Sequence, residues 1–328
     1  MADGAPRDMN KTVLICGATG FIGRNLLSRY SGADGVDVRA VYHDRPAVDE
    51  TAKNVSWVQA NLTSEEDVRR VMQGIDVVIQ AAATTSGAGD IVNRPHIHTT
   101  DNAVMNSLIL RAAHDNGIEH FVFFSCSVMY RSSETPVAEE DFDASVSLEP
   151  KYFAAGWTKI YIEKMCEFYA GLGRMKVTAL RHSNVYGPHD KFDLERSHMF
   201  GATVTKVLTA QDAASIDVWG DGTEARDLIY IDDLVDAVQL CLSGQAASFG
   251  LFNVGAGKAY TVREVVERLT SASGKNLSIT YDTTKPTIPF ALALDCRKIG
   301  ELLDWHPRVQ LSDGIERTID WWQRNPPE

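Results

Sequence analysis

The chain has 328 residues, 44% of them apolar, and a formal net charge of −12. That length supports one large domain or two interleaved ones, and the acidic balance argues against nucleic acid, so any phosphate must be met by a local cationic pocket. The five cysteines, Cys16, Cys126, Cys166, Cys241 and Cys296, show no CxxC spacing, and no segment reads as a secretory h-region or a long apolar span. Free thiols in a reducing compartment, a cytoplasmic chain, no structural metal and no membrane partner are the expectations.

The opening stretch, "KTVLICGATGFIGRNLLSRY", runs as a β-branched strand, a turn at Gly17 and then apolar residues at helical spacing. "VDVRAVYH" and "VSWVQANL" read as the next strands, "SEEDVRRVMQGI" as a helix, and "DVVIQAAA" as another strand. "DNAVMNSLILRAAHDNG" and "HFVFFSCSVMY" repeat the helix–strand alternation. Such alternation predicts an α/β fold with a doubly wound parallel sheet. Beyond residue 186 the strands shorten, as in "SIDVWG" and "LFNVG", and helices such as "YTVREVVERLTSAS" intervene without regular order. A smaller, mixed α/β C-terminal domain closing over the strand ends accounts for that change. The expected division is 11–186 and 187–323, interleaved, with some later segments returning to the first domain.

In "GATGFIG" the glycines fall at Gly17, Gly20 and Gly23. This spacing lets the chain turn sharply, brings its backbone against a pyrophosphate and packs the helix on the strand, with the helix N-terminus facing the phosphates. The expected cofactor is NAD or NADP. An acid after the second strand would take the ribose hydroxyls of NAD, but that place holds Tyr42, followed by His43 and Arg45, which could meet a 2′-phosphate. The residues favour NADP slightly.

Five stretches together resemble the extended short-chain dehydrogenases/reductases that act on nucleotide sugars, the NAD-dependent epimerase/dehydratase family. They are "GATGFIG", "DNAVMNSLILRAA", "RHSNVYGPHDKFDLERSH", "WGDGTEARDLIYIDDLVDAV" and "FNVGAGKAYTVREVV", and the likeness is strongest to the GDP-fucose synthase branch. The resemblance implies a Rossmann domain for NAD(P), a C-terminal domain for the nucleotide sugar, a homodimer, and hydride exchange at a sugar carbon, usually C4. It places Thr19, Phe21 and Ile22 with the glycines at the dinucleotide, together with Asn61, Leu62, Ala81, Ala82 and Ala83 from the ends of later strands. It also implies that Asn102 supports the catalytic lysine through backbone and water contacts, although a helix cap is the alternative reading.

The family's catalytic set is a Ser or Thr, a Tyr, and a Lys four residues after it. Residues four apart share a helix face, so the ammonium can lower the phenol pKa while the phenol exchanges a proton with the substrate oxygen. Lys159 takes the lysine place and is expected to touch the cofactor ribose, but the tyrosine place holds Ala155. Tyr152 is seven residues before Lys159, about 10.5 Å along a continuous helix, unless Gly156 interrupts that helix and draws Tyr152 inward. The hydroxyl partner falls on Ser127 or Cys126 for the sugar contact. In a strand, Ser125 and Ser127 would share one face and Cys126 the other. The GDP-fucose synthase branch adds a Cys and a His as acid and base for epimerisation. The His falls on His198, while the Cys place holds Val128, leaving Cys126 as a stand-in. Three routes stay open: a displaced Tyr152, proton transfer by His198 or Cys126, or loss of catalysis with the cofactor retained.

For the substrate, the resemblance places Arg226, Lys206 and Asn184, with Ser127 and His198, at the diphosphate and sugar. The acids and histidine of "DKFDLERSH" lack metal-motif spacing and read as a substrate loop. The functional expectation is a nucleotide-sugar epimerase or 4-reductase on a GDP-sugar. A 4-dehydrogenase or 4,6-dehydratase is the alternative within the family, and a non-catalytic NAD(P) or nucleotide-sugar sensor is the alternative of another class.

Overall fold

Thirteen strands and nine α-helices are present among the residues described by the computed structural model, 10–45, 52–84, 95–194, 197–285 and 290–326. Residues 1–9, where a secretory segment would begin, lie outside them. In chain order the first half runs β1 (Lys11–Cys16), α1 (Phe21–Tyr30), β2 (Val36–Tyr42), β3 (Val55–Gln59), α2 (Glu65–Val71), β4 (Val77–Gln80), α3 (Pro95–Asn116), β5 (His120–Phe124), α4 (Phe153–Gly171), β6 (Lys176–His182) and β7 (Asn184–Tyr186). The second half runs α5 (Met199–Thr209), β8 (Ser215–Trp219), β9 (Ala225–Tyr230), α6 (Ile231–Gly244), β10 (Phe249–Val254), β11 (Ala259–Thr261), α7 (Val262–Ala272), β12 (Ser278–Asp282), β13 (Ala291–Leu292), α8 (Arg297–Leu303) and α9 (Leu311–Arg324).

Seven strands form one parallel sheet in the order β10-β6-β5-β4-β1-β2-β3. The alternation expected from sequence is therefore a Rossmann-type, doubly wound sheet. Its two faces divide by the two-residue period of a strand. Val13, Ile15, Val38, Ala40, Ile79, Val122 and Phe124 pack with Leu26 and Leu27 of α1, whereas Leu14, Cys16, Val78, Phe121 and Phe123 pack with Ile109 and Leu110 of α3 and Ile162 and Cys166 of α4.

The segment "LFNVG" belongs to this sheet as edge strand β10, paired with β6. The remaining strands make a small mixed sheet, β11-β9-β13 with β7 on β9, and a separate parallel pair, β12-β8. Strand β7, which starts two residues after β6 ends, ties this smaller sheet to the end of β6. The chain reverses its winding between β1 and β4, and a crevice at the carboxyl ends of the strands is the general ligand position in such sheets.

Candidate active site

Gly17 lies at the switch between β1 and β4 with φ +72°. A Cβ there would stand 2.7 Å from the Ala82 Cα, and one at Gly23 would stand 2.1 Å from the Gly17 carbonyl oxygen. These two glycines are demanded by the fold itself. Gly20, the N-cap of α1, differs: a Cβ there would meet only the Gly17 oxygen, at 3.2 Å. The residue is small where the first turn of α1 presents its unpaired N–H groups, so the loop fits a pyrophosphate. Thr19 is buried beside it, while Phe21 and Ile22 turn partly into the core.

Ala81, Ala82 and Ala83 follow β4, and Ala81 N–H donates to the Cys16 carbonyl at 3.2 Å. Asn102 holds the next turn by both polar atoms: its Oδ1 accepts from Thr84 N–H and its Nδ2 donates to the Thr84 carbonyl, each at 3.0 Å. It sits inside α3 rather than at its start, so the helix-cap reading does not hold. Asn61 and Leu62 have local roles: Asn61 Oδ1 accepts from Thr63 N–H and Thr63 Oγ1, and Leu62 is buried in the core.

After β2, His43 Nδ1 lies 3.2 Å from Asp44 Oδ2. Arg45 is exposed, and its charge, after burial, lowers the pKa of Arg24 on α1. The buried Nε of Arg24 has no partner among the described residues. Sequence reasoning missed Arg24 because a single arginine after the third glycine looks like an ordinary helix residue.

On the other side of the sheet, the strand reading of "HFVFFSCSVMY" is corrected: β5 ends at Phe124. Alternation no longer fixes Ser125, Cys126 and Ser127. Ser125 is fully buried and donates its hydroxyl to Glu163 Oε1, so it is withdrawn from any substrate. Ser127 is buried at 9% exposure and its carbonyl accepts from Tyr130 N–H. Lys159 donates to the Phe124 carbonyl at 2.7 Å and lies 4.7 Å from the Phe123 ring centre. Burial lowers its pKa, against the opposing pull of Cys126 and Glu163. Burial raises the Cys126 thiol, while the Lys159 charge and the Val128 N–H pull it back.

Helix α4 runs unbroken across Gly156, so the interruption expected there is not found. Gly156 is small for another reason: a Cβ would stand 2.6 Å from Leu148 Cδ1. The change of direction comes earlier, in a 3₁₀ turn at Pro150–Tyr152 that leaves Tyr152 as the N-cap of α4. From that turn the phenol hydrogen-bonds with Arg226, and burial raises its pKa against the Arg226 charge. Its ring meets Phe290 edge to face at 6.3 Å, and Cys126 also acts on it electrostatically. Ala155 is exposed.

Arg226 is held by the Ala225 carbonyl at 2.9 Å, by the Phe290 carbonyl and by Glu224 at 3.4 Å. Asn184 donates to the Asp227 carbonyl at 3.3 Å. Lys206 donates to the Asp217 carbonyl at 2.7 Å, which ties it to β8. His198 is the N-cap of α5. The His198 side chain is exposed, whereas Asp190 is half-buried, and burial raises the Asp190 pKa while the charges of His198 and Lys191 pull it back. His182, at the end of β6, feels both Lys159 and His198.

Electrostatic influence links these groups in pairs, Arg226 with Tyr152, Tyr152 with Cys126, Cys126 with Lys159, Lys159 with His182, His182 with His198 and His198 with Asp190, and Lys159 and His182 both pack against Phe124. A cluster of mutually perturbed titratable groups near the strand ends, with an arginine among them, can bind an anion and supply groups for proton transfer. Asp190 and His182 were missed from sequence. Asp190 lies eight residues before His198 in the same loop, and His182 stands between Arg181 and Ser183 with no spacing to mark it. Among the described residues no group of three His, Cys, Asp or Glu side chains is placed to hold a metal, and no helix is long and apolar enough to cross a membrane.

Residues 13–255 match the model of the NAD dependent epimerase/dehydratase family. The chain is 29% identical to a dTDP-4-dehydro-6-deoxy-D-allose reductase of Streptomyces sp., over 97% of this chain and 98% of the relative. It is 28% identical to the GDP-L-fucose synthase of Escherichia coli K12, over 76% of this chain and 81% of that one. The structure of MoeE5 in complex with UDP-glucuronic acid and NAD superposes with a TM-score of 0.82 at 26% identity, covering 95% of this chain and 99% of that one. With the glycine loop at the switch point and a family match over most of its length, the chain belongs to the NAD-dependent epimerase/dehydratase family of extended short-chain dehydrogenases/reductases.

Proposed function

We propose that the protein is an NAD(P)-dependent nucleotide-sugar epimerase/reductase acting on a GDP-sugar at C4, with Tyr152 giving a proton to the carbonyl oxygen. The observation that carries this reading is the 3₁₀ turn from which the Tyr152 phenol reaches Arg226 and feels Cys126, which in turn feels Lys159. A phenol raised by burial stays protonated at neutral pH and is ready to donate. Residues 11–186 with β10 hold the dinucleotide, and most of 187–323 holds the sugar nucleotide.

When bound, the nicotinamide supplies or takes a hydride at a sugar carbon. Gly17, Gly20 and the α1 N-terminus receive the pyrophosphate, and Asn102 fixes the Thr84 turn beside it. Lys159 faces the ribose end. Arg226, Asn184 and Lys206 receive the sugar and diphosphate, with Arg226 exchanging its contact to Glu224 for phosphate oxygens. Arg24 and Arg45 repel one another, a cost that a 2′-phosphate would relieve, so NADP is the preferred cofactor. Val104 of α3 and Tyr161, Phe168 and Leu172 at α4 are exposed apolar or aromatic side chains, which favours a homodimer through these two helices. The free thiols suit the cytoplasm.

A dTDP-sugar is the second reading, because the dTDP-sugar reductase aligns over 97% of this chain and GDP-L-fucose synthase over 76%. The test is incubation of the purified protein with GDP-, dTDP- and UDP-linked 4-keto-6-deoxyhexoses and NADPH or NADH. Cofactor absorbance and the NMR spectra of the sugar products report turnover. Turnover of the GDP-sugar supports the proposal, and turnover of the dTDP-sugar alone moves it to the second reading. Redox-neutral loss of water or net cofactor reduction, with the corresponding hydroxy sugars as substrates, identifies the dehydratase or dehydrogenase alternative. Binding without turnover of any of these substrates leaves the sensor.

A further inference from the structure

His182 closes β6 on the strand next to β5, one residue after Arg181, and no part of the mechanism above uses it. Its Nδ1 lies 2.7 Å from the Ser183 carbonyl oxygen. A carbonyl has no proton to give, so Nδ1 carries the hydrogen and Nε2 is left with its lone pair. The ring is set edge to face against Phe124, with centres 6.3 Å apart. Lys159 and His198 both act on it, and Asp190 stands behind His198. The fold places little other demand on this side chain: Arg181, beside it, makes the buried ion pair, while His182 bonds only a neighbouring backbone oxygen among the described residues.

A neutral imidazole can take a proton and has none at Nε2 to donate. It therefore complements the Tyr152 phenol, which donates. A ketone brings no hydroxyl proton at its reacting carbon, so an acceptor beside it acts on the C–H bond next to the carbonyl. Two neighbouring imidazoles also disfavour double protonation, which suits a pair that holds one proton between them.

We propose that His182 is a proton acceptor of this site, its Nε2 removing the proton from the carbon beside the carbonyl of a keto-sugar nucleotide, with His198 as the second member of the pair. The inference rests on the keto-sugar reading above. The C–H bond breaks, its electron pair passes to the carbonyl oxygen as an enolate, and Nε2 takes the proton. Return of a proton from His182 restores the sugar; when His182 instead releases its proton to solvent and His198 takes one up, delivery from His198 to the opposite face inverts the centre, and the pair holds one proton throughout. No electrons leave the sugar, so the step consumes no oxidant.

The test is deuterium incorporation from deuterium oxide into GDP- and dTDP-linked 4-keto-6-deoxyhexoses, followed by proton NMR with oxidised cofactor present so that no reduction intervenes. The native protein is expected to exchange the protons beside the carbonyl. His182→Asn keeps a donor for the Ser183 carbonyl and loses Nε2, and should slow exchange by about 10²–10⁴-fold. Exchange at the native rate in that variant overturns the proposal. Hydride transfer by the native protein without deuterium incorporation also overturns it while leaving the proposed function standing; absence of both overturns the proposed function. Should the variant fail to fold, nitrogen-15 NMR of the native histidines decides, since a proton on Nε2 rather than Nδ1 of His182 removes the acceptor.

Discussion

Arg181 and Glu163 meet through Nε at 3.0 and 3.2 Å and Nη2 at 2.7 Å, and each side chain is only 4% exposed. The same carboxylate accepts the Ser125 hydroxyl, and Arg181 also donates to Tyr130. Glu163 lies one turn after Lys159 on α4, so this pair anchors the helix directly beneath that lysine. Glu163→Gln leaves a buried guanidinium without its counter-charge and should cost about 3–5 kcal/mol in denaturant unfolding. The double change with Arg181→Met should recover much of that loss. A Glu163→Gln variant as stable as the native protein would show that the pair contributes little.

The two outer glycines of the loop and the central one should behave differently. Gly23→Ala forces a Cβ towards the Gly17 oxygen and should destabilise the fold, visible as a lower thermal midpoint. Gly20→Val should leave the fold near native and weaken NAD(P) binding at least tenfold. Tight dinucleotide binding by folded Gly20→Val would remove the pyrophosphate assignment.

Arg24→Ala removes one of two cations whose charges act on one another. The affinity for NADPH should fall by about 10- to 100-fold, the effect of one charge-assisted hydrogen bond of roughly 1.5–3 kcal/mol, and that for NADH should change little. Equal losses for both cofactors, measured by fluorescence titration, would place Arg24 on the pyrophosphate instead.

Tyr152→Phe should lower turnover by about 10²–10⁴-fold with little change in cofactor affinity. If His198 or Cys126 carries that proton, the loss follows His198→Asn or Cys126→Ala and Tyr152→Phe is nearly silent.

The buried imidazole of His120, 5% exposed and bonded to Thr178 Oγ1 at 2.8 Å, is held down to about 4 by burial, with Lys176 and Lys11 adding to the effect. Its ordinary value is 6.5. Between these values the unfolded chain binds a proton that the folded chain does not, so stability is full above the upper value and falls as the pH drops through the window. The loss should reach roughly 3 kcal/mol and then level off. His120→Gln should flatten that part of the stability profile, read by urea unfolding across the acid range; an unchanged slope would assign the acid sensitivity elsewhere.

The sheet was legible because strand and helix periods differ, and the glycine loop because Gly17 and Gly23 answer to backbone crowding that no other residue tolerates. Tyr152 was legible only in part. Helix arithmetic put it about 10.5 Å from Lys159, and the 3₁₀ turn that redirects it carries no signal beyond Pro150. The strand β5 misled for a related reason: "SCSVMY" continues an apolar alternation after the strand has ended at Phe124, with the Ser125 N–H making one last bond to the Leu180 carbonyl. The His182, His198 and Asp190 set comes from a strand end, a helix cap and the loop between them, and only the fold shows that their charges act on one another.

The edge strand β10 sits beside β6 although sixty-six residues of chain, 183–248, separate them. Until Phe249–Val254 has left the ribosome, β6 presents an open row of N–H and C=O groups. Asn253, whose side chain accepts from Tyr130 and donates to the Val137 carbonyl, is missing as well. A nascent or truncated chain ending near residue 186 therefore carries a glycine loop but also a ready template for pairing with other chains. The half that carries the glycine loop is expected not to stand alone, and its final closure during synthesis must wait for a strand encoded three quarters of the way along the chain.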